Sequence, residues 1–220
     1  MNDTYTLARE IAIDRTYDLV VAGGGPAGCA AAICAARLGA DVLLVEATGC
    51  LGGMGTSGLV TAFDPMADGE KALVGGLMSE IVEMLYERGE LGPQVTPEFW
   101  RSRYHCWTPF RAEGLKRLLD DLAAEAGVEV RLFTTVIDSD AAANAVNGIV
   151  VHNIEGLRYI PAKAFIDCTG DAVLAALCGV ECRTNPAFMP GTLCSLHAGG
   201  AYLPQNEAVD AALRATDSIP

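Results

Sequence analysis

The feature that most constrains this chain is the turn Gly23-Gly24-Gly25-Pro26-Ala27-Gly28, set between the β-branched run YDLVVA and the Ala-rich segment CAAAICAARLGA. The run reads as a strand, the Ala-rich segment as a helix ending near Gly39, and DVLLVEA as a second strand. Strands joined through a helix lie parallel, because a tight hairpin joins only antiparallel neighbours. The expected fold class is therefore α/β, a parallel sheet with helices packed on its faces.

The spacing Gly23-x-Gly25-x-x-Gly28 adds chemistry to that geometry. Glycine is needed where the turn is tight, where the backbone approaches a pyrophosphate, and where helix and strand pack closely. Pro26 and Ala27 belong to the turn, and the helix that follows offers first N–H groups and a partial positive charge that suit an anion. Glu46, followed by Ala47, closes the second strand and is placed to accept both hydroxyls of an adenosine ribose. A 2′-phosphate there would face a like charge. A glycine turn that merely joins a strand to a helix has the same composition. The coincidence of strand, turn, helix and acid is what points to a dinucleotide.

Beyond the fingerprint, Thr48 to Gly58 has a loop composition. A helix is expected near Leu73 to Arg88, with Leu73, Leu77, Ile81 and Leu85 on one face. Residues 93–110 read as irregular and aromatic. A second helix starts near Ala112, carries Leu115, Leu118, Leu119 and Leu122 on one stripe, and stops at Gly127. VEVRLFTTVID reads as one strand; GIVVHNI and RYIPAKAFIDCTGD follow as two more, with a hairpin turn at Glu155 and Gly156. Strands with no helix between them form an antiparallel β-meander laid against the parallel sheet. After the AVLAALCG helix, TLCSLHA reads as a strand and an acidic helix follows it. The expected organisation is a leader arm at 1–16, a cofactor domain at 17–180 with a helical insertion about 63–110, and the beginning of an incomplete second domain at 181–220.

The segment DLVVAGGGPAGCAAAICAARLGADVLLVEATGCLGG resembles the N-terminal part of FAD-dependent oxidoreductases of the glutathione-reductase-like superfamily. The resemblance implies a Rossmann-like three-layer FAD-binding domain with FAD as cofactor. It puts Gly23, Gly25, Pro26, Ala27 and Gly28 on the pyrophosphate, and Glu46 with Ala47 at the ribose. The pair Gly52 and Gly53 belongs near the pyrophosphate and ribityl chain. FIDCTGD resembles the family's strand-end motif, here Cys168-Thr169-Gly170-Asp171 with Cys where Ala is usual, so Thr169, Gly170 and Asp171 join the candidate site. Val136 corresponds to a residue that contacts adenine through its backbone. The implied activity is flavin-mediated hydride or electron transfer on a small molecule, with no catalytic residue assigned. The resemblance also implies a final C-terminal segment over the flavin, supplied here by a longer chain or a partner, since nothing after Gly200 looks like it. A non-catalytic dinucleotide-binding module and an NAD-binding dehydrogenase domain are the alternatives.

Composition narrows the partners. The net charge of -13 argues against nucleic acid, which is bound through Lys and Arg. The apolar stretch from Leu19 to Val45 is broken by glycines, Pro26, Arg37 and Asp41, so no membrane span is expected. Eight cysteines with no signal-peptide pattern suit a reducing cytoplasm. Cys29 and Cys34 are expected to pack as small hydrophobes, and Cys50 stands alone in its loop. Cys178, Cys182 and Cys194 lack partners at zinc spacing, so no metal is expected. His105, Trp107 and Arg111 could carry a proton and a carboxylate, or simply be a surface histidine, a crevice filler and an ion-pair partner. Thr56 and Ser57 either face the flavin or satisfy backbone groups.

Overall fold

Why the sequence falls into layers is visible in the order of its elements. The computed structural model describes residues 5–102, 107–143 and 145–183, which lie within one compact unit. In chain order they are β1 Ala12–Ile13, β2 Tyr17–Ala22, α1 Pro26–Arg37, β3 Val42–Val45, a 3-10 turn Gly53–Gly55, β4 Ala62–Phe63, α2 Leu77–Glu87, α3 Pro97–Ser102, β5 Thr108–Pro109, α4 Ala112–Ala126, β6 Glu129–Arg131, β7 Thr135–Ala142, β8 Ala145–Asn153, β9 Gly156–Asp167 and α5 Val173–Leu177. The expected TLCSLHA strand and the acidic helix after it lie outside the described residues, as do His105 and Cys194.

The main sheet runs β6-β3-β2-β9-β8-β7. Its first four strands are parallel, and the last three form the antiparallel meander. Strand β9 belongs to both parts. Gly156 to Pro161 pair with β8, whereas Ala162 to Asp167 pair with β2. Pro161 stands at the changeover, where its missing N–H costs the ladder least. Within the stretch expected as a leader arm, Ala12 and Ile13 pair in parallel with Arg158 and Tyr159.

Two apolar clusters hold the layers. On one face Val21, Val42 and Leu44 pack against Ile33 of α1, Ile81 and Leu85 of α2, and Leu115, Leu118 and Leu122 of α4. On the other, Val20, Leu43 and Val45 meet Val136, Ile149, Val151 and Ile160 of the meander. Alternate residues of β2 and β3 thus enter opposite cores, which explains why both strands are apolar throughout. The three layers are helices, parallel sheet and meander, as expected for this α/β class.

Four local expectations need correction. The helix expected from Leu73 begins at Leu77, because Gly76 has φ 59 and breaks the run; Leu73 is 52% exposed and off the buried face. The aromatic stretch contains α3, which buries Trp100 against the α-helical core. VEVRLFTTVID is two strands, β6 and β7, separated at Phe133, whose φ of 50 is left-handed. Cys29 packs as expected, but Cys34 is exposed.

Candidate functional site

The first fingerprint glycine is dictated by backbone contacts. Gly23 has φ 98, donates its N–H to the Val45 carbonyl at 2.8 Å, and would drive a Cβ into the Cys168 carbonyl. A Cβ on Gly28 would collide with the Gly23 carbonyl, so α1 lies directly on the turn. Gly25 caps α1 without a side-chain hydrogen bond, Pro26 follows at the first helical position, and a Cβ on Gly25 would meet open space. The N–H groups of Ala27 and Gly28 make no hydrogen bond within the described residues. Those donors and the helix dipole face the open side of Gly25.

The second glycine pair is brought to the first. Gly52 donates its N–H to the Gly24 carbonyl at 2.8 Å, and a Cβ on Gly53 would lie 2.9 Å from the Gly25 Cα. Both residues are left-handed, Gly52 at φ 100 and Gly53 at φ 49. The Thr56 hydroxyl donates to the Leu51 carbonyl at 2.7 Å and is wholly buried, so it braces the loop from within.

Glu46 sits between the two loops. Its Oε2 accepts the Gly24 N–H at 2.6 Å and its Oε1 accepts the Thr48 N–H at 2.7 Å, with only 8% of the residue exposed. A carboxylate has about four acceptor positions, so this one is oriented with capacity left for further donors. Ala47 beside it is exposed. The segment after Glu46 is zipped to the one after β6 by Phe133 N–H to the Thr48 carbonyl at 3.0 Å and Thr134 N–H to the Glu46 carbonyl at 2.9 Å. Val136 continues from there into the meander, buried and paired with Val151.

The strand-end motif closes the site from the β9 side. Cys168 donates its N–H to the Ala22 carbonyl at 2.7 Å, which sets its own carbonyl against Gly23. Gly170 has φ 84, and both Gly170 and Asp171 are exposed. Asp167 organises this corner: it accepts the Thr169 N–H at 3.0 Å, the Thr169 hydroxyl at 2.7 Å and the Ala175 N–H at 2.9 Å. Burial works to raise its carboxyl, but the hydrogen bonds from Thr169 and Ala175 outweigh that and hold it below the usual range.

Gly23 to Gly28, Glu46, Gly52, Gly53 and Cys168 to Gly170 therefore converge. Trp107 and Arg111 are not drawn into that set. Trp107 is 54% exposed, and Arg111 caps α4 with its N–H on the Glu90 carbonyl at 2.8 Å. The Cys50 thiol lies 3.2 Å from the Ser57 hydroxyl. Burial pushes the Cys29 thiol up to about 12, which removes it as a nucleophile. An apolar cavity of about 100 Å³ lies beside the loops, lined by Cys29, Gly52, Gly55, Leu115 and Leu119 with their neighbours; it offers no donors for an anion. Among the described residues no His, Cys, Asp and Glu group suits a metal ion, and no helix is long and apolar enough to cross a membrane. Asp167, Thr48 and Phe133 were not singled out from the sequence. The Asx-type bonding of Asp167 to Thr169 was the one available signal.

The family model described as FAD dependent oxidoreductase matches residues 18–188. Digeranylgeranylglycerophospholipid reductase 2 of Methanothermobacter thermautotrophicus is 28% identical over 188 residues, 81% of this chain and 45% of its own length. The tRNA uridine 5-carboxymethylaminomethyl modification enzyme MnmG of Chlamydia trachomatis is 37% identical over 78 residues, 31% of this chain and 12% of that enzyme. The chain spans less than half the length of these curated relatives. Among solved structures, p-nitrophenol 4-monooxygenase PnpA from Pseudomonas putida DLL-E4 superposes with a TM-score of 0.54 at 15% identity, covering 76% of this chain and 44% of that one. A geranylgeranyl bacteriochlorophyll reductase-like protein from Thermoplasma acidophilum gives 0.52 at 22% identity, covering 76% and 42%. At such identities the likeness is one of fold.

Proposed function

The chain belongs to the family of FAD-dependent oxidoreductases, and on that premise we propose that its first β-α junction holds the pyrophosphate of FAD while Glu46 holds the adenosine ribose. The observation that carries this assignment is the set of unpartnered N–H groups at Ala27 and Gly28, opening on the free space at Gly25 beside a fixed carboxylate. Gly23, Pro26 and Gly28 shape that turn. Gly52 and Gly53 bring a second stretch of backbone against it, on the side assigned to the ribityl chain. Ala47 and the backbone of Val136 border the adenosine end, and Thr169, Gly170 and Asp171 border the flavin end. The residues present fit the group, because a diphosphate needs donors without a competing side chain, and a ribose needs an acceptor already aimed.

When bound, FAD supplies hydride and electron transfer, and the protein supplies binding and orientation. The whole protein is then an oxidoreductase acting on a small molecule in a reducing cytoplasm, the cysteine usage being what supports that compartment. Residues 17–180 are its cofactor domain, with 63–110 as an insertion and 181–220 as the entry to a substrate domain. Further polypeptide, in a longer chain or a partner, completes the flavin site; the 45% coverage of the archaeal reductase supports this.

The test is the visible spectrum of the purified chain and its titration with FAD. Flavin bands that bleach on adding a reductant are expected. Glu46→Arg removes two charge-assisted ribose bonds and weakens FAD retention by about 2 to 4 kcal/mol. A chain that takes up NAD but not FAD, or a Glu46→Arg chain with unchanged FAD affinity, overturns the assignment.

A further inference from the structure

Phe133 combines two features that a surface residue ordinarily avoids. Its backbone is left-handed, at φ 50, a conformation that bulky side chains rarely adopt. The residue is 70% exposed. Gly or Asn would occupy the same backbone position with less strain and no apolar exposure. The aromatic ring is therefore retained against both the local backbone preference and the solvent.

The ring is also seated. A Cβ on Gly49 would collide with the Cζ of Phe133 and lie 3.1 Å from both Cε1 and Cε2, so the tip of the ring rests on the bare Gly49 backbone. The turn that carries it is fixed by three main-chain bonds: Glu46 N–H to the Arg131 carbonyl at 2.9 Å, Phe133 N–H to the Thr48 carbonyl at 3.0 Å, and Thr134 N–H to the Glu46 carbonyl at 2.9 Å. The same short loop holds the Glu46 carboxylate through Thr48 N–H. An exposed flat ring and an oriented carboxylate are thus two parts of one rigid unit.

Resting on the cofactor assignment above, we infer that Phe133 is the stacking platform for the adenine of the dinucleotide, with Gly49 the gap that seats it. A ribose held on Glu46 carries its base next to the turn that holds Phe133. A phenyl ring has no hydrogen-bonding group, so it recognises the face of a purine and adds affinity without reading base identity. Glu46 then fixes the sugar and Phe133 the base.

The experiment measures FAD and ADP affinity and melting temperature for the unaltered 220-residue chain and for Phe133→Asn, Phe133→Leu and Phe133→Tyr. Asn relieves the left-handed strain and removes the ring. It is expected to melt at or above the parent temperature while binding both ligands about 10-fold more weakly. Leu keeps the strain and the apolar bulk but loses the flat face, and falls with Asn; Tyr keeps the face and retains parental affinity. Opposite movements of stability and affinity in Asn are what a merely structural role would not produce. Parental ADP affinity in the Asn and Leu chains, or loss in the Tyr chain equal to theirs, overturns the role of Phe133 and leaves the cofactor assignment standing. Failure of the unaltered chain to bind FAD or ADP overturns the cofactor assignment itself, and this inference with it.

Discussion

The unit β2-α1-β3 and the segment from β4 to β5 contribute to the same helix-side core, yet they are specified by different kinds of contact. In the first, the decisive neighbours are main-chain atoms: the Cys168 carbonyl against Gly23, the Gly23 carbonyl against Gly28, and the Gly24 N–H on Glu46. In the second they are side chains. Phe63 stacks on Phe110 at 4.2 Å, and Tyr86 meets Trp100 edge-on at 5.6 Å. A main-chain neighbour cannot move aside and so fixes residue type, whereas a side-chain neighbour fixes only volume and polarity. The first unit also opens the Ala27 and Gly28 N–H groups onto free space beside a fixed carboxylate, whereas the second contributes packed rings.

The largest effect should come from breaking the main-chain contact. Gly28→Val forces a side chain into the Gly23 carbonyl, and should cost about 4 kcal/mol or more in urea unfolding and abolish FAD uptake. A Gly28→Val chain of parental stability would remove the distinction. Leu85→Ala is the side-chain counterpart: Leu85 is wholly buried in α2, and its truncation should cost about 3 kcal/mol while FAD affinity, measured well below the melting temperature, changes less than twofold. A parallel loss of FAD affinity would show that the insertion reaches the cofactor.

Acid should act more gently, on carboxylates outside both regions. Arg131 bonds Asp14 at 2.5 Å and holds its carboxyl below the ordinary 3.8. Burial raises Glu129, but bonds from Arg131, Tyr17 and Arg15 hold it below 4.5. Asp167 behaves likewise at the strand-end corner. Groups with depressed values give stability that is fully present above their unfolded values and is lost as pH falls through the folded ones. Melting temperature should therefore decline progressively below about pH 4.5. Asp120 acts in the opposite direction, since burial and then Asp121 raise its carboxyl and its protonation favours the fold. Arg131→Met should flatten the decline; an unchanged profile would mean that the Asp14 and Glu129 contacts contribute nothing. The smallest effect belongs to Leu73, which the helical pattern placed on the buried face. Leu73→Ser should shift stability by no more than about 0.5 kcal/mol.

These contrasts also explain what was legible in the sequence. Gly23, Gly25, Gly28, Gly52 and Gly53 answer to local backbone geometry, so their spacing was enough to bring two loops and Glu46 together. The meander was equally readable, because Gly156 at φ 103 makes its hairpin and no helix fits between its strands. The start of α2 was misplaced because Leu73 continues an i, i+4 pattern that Gly75 and Gly76 interrupt, and the pattern alone does not weigh the breaker. The division of VEVRLFTTVID was hidden for a related reason. Phe133 has strong strand propensity, and only the pairing of its N–H with Thr48, far away in sequence, forces the left-handed turn. Asp167 and Thr48 escaped notice because their roles are to hold other groups in place.

The most direct test is a crystal structure of the chain with FAD bound. The diphosphate oxygens are expected within hydrogen-bonding distance of the Ala27 and Gly28 N–H groups, and both ribose hydroxyls on the Glu46 carboxylate. A dinucleotide lodged elsewhere, or a glutamate still bonded only to Gly24 and Thr48 with the ribose out of its reach, would contradict the account.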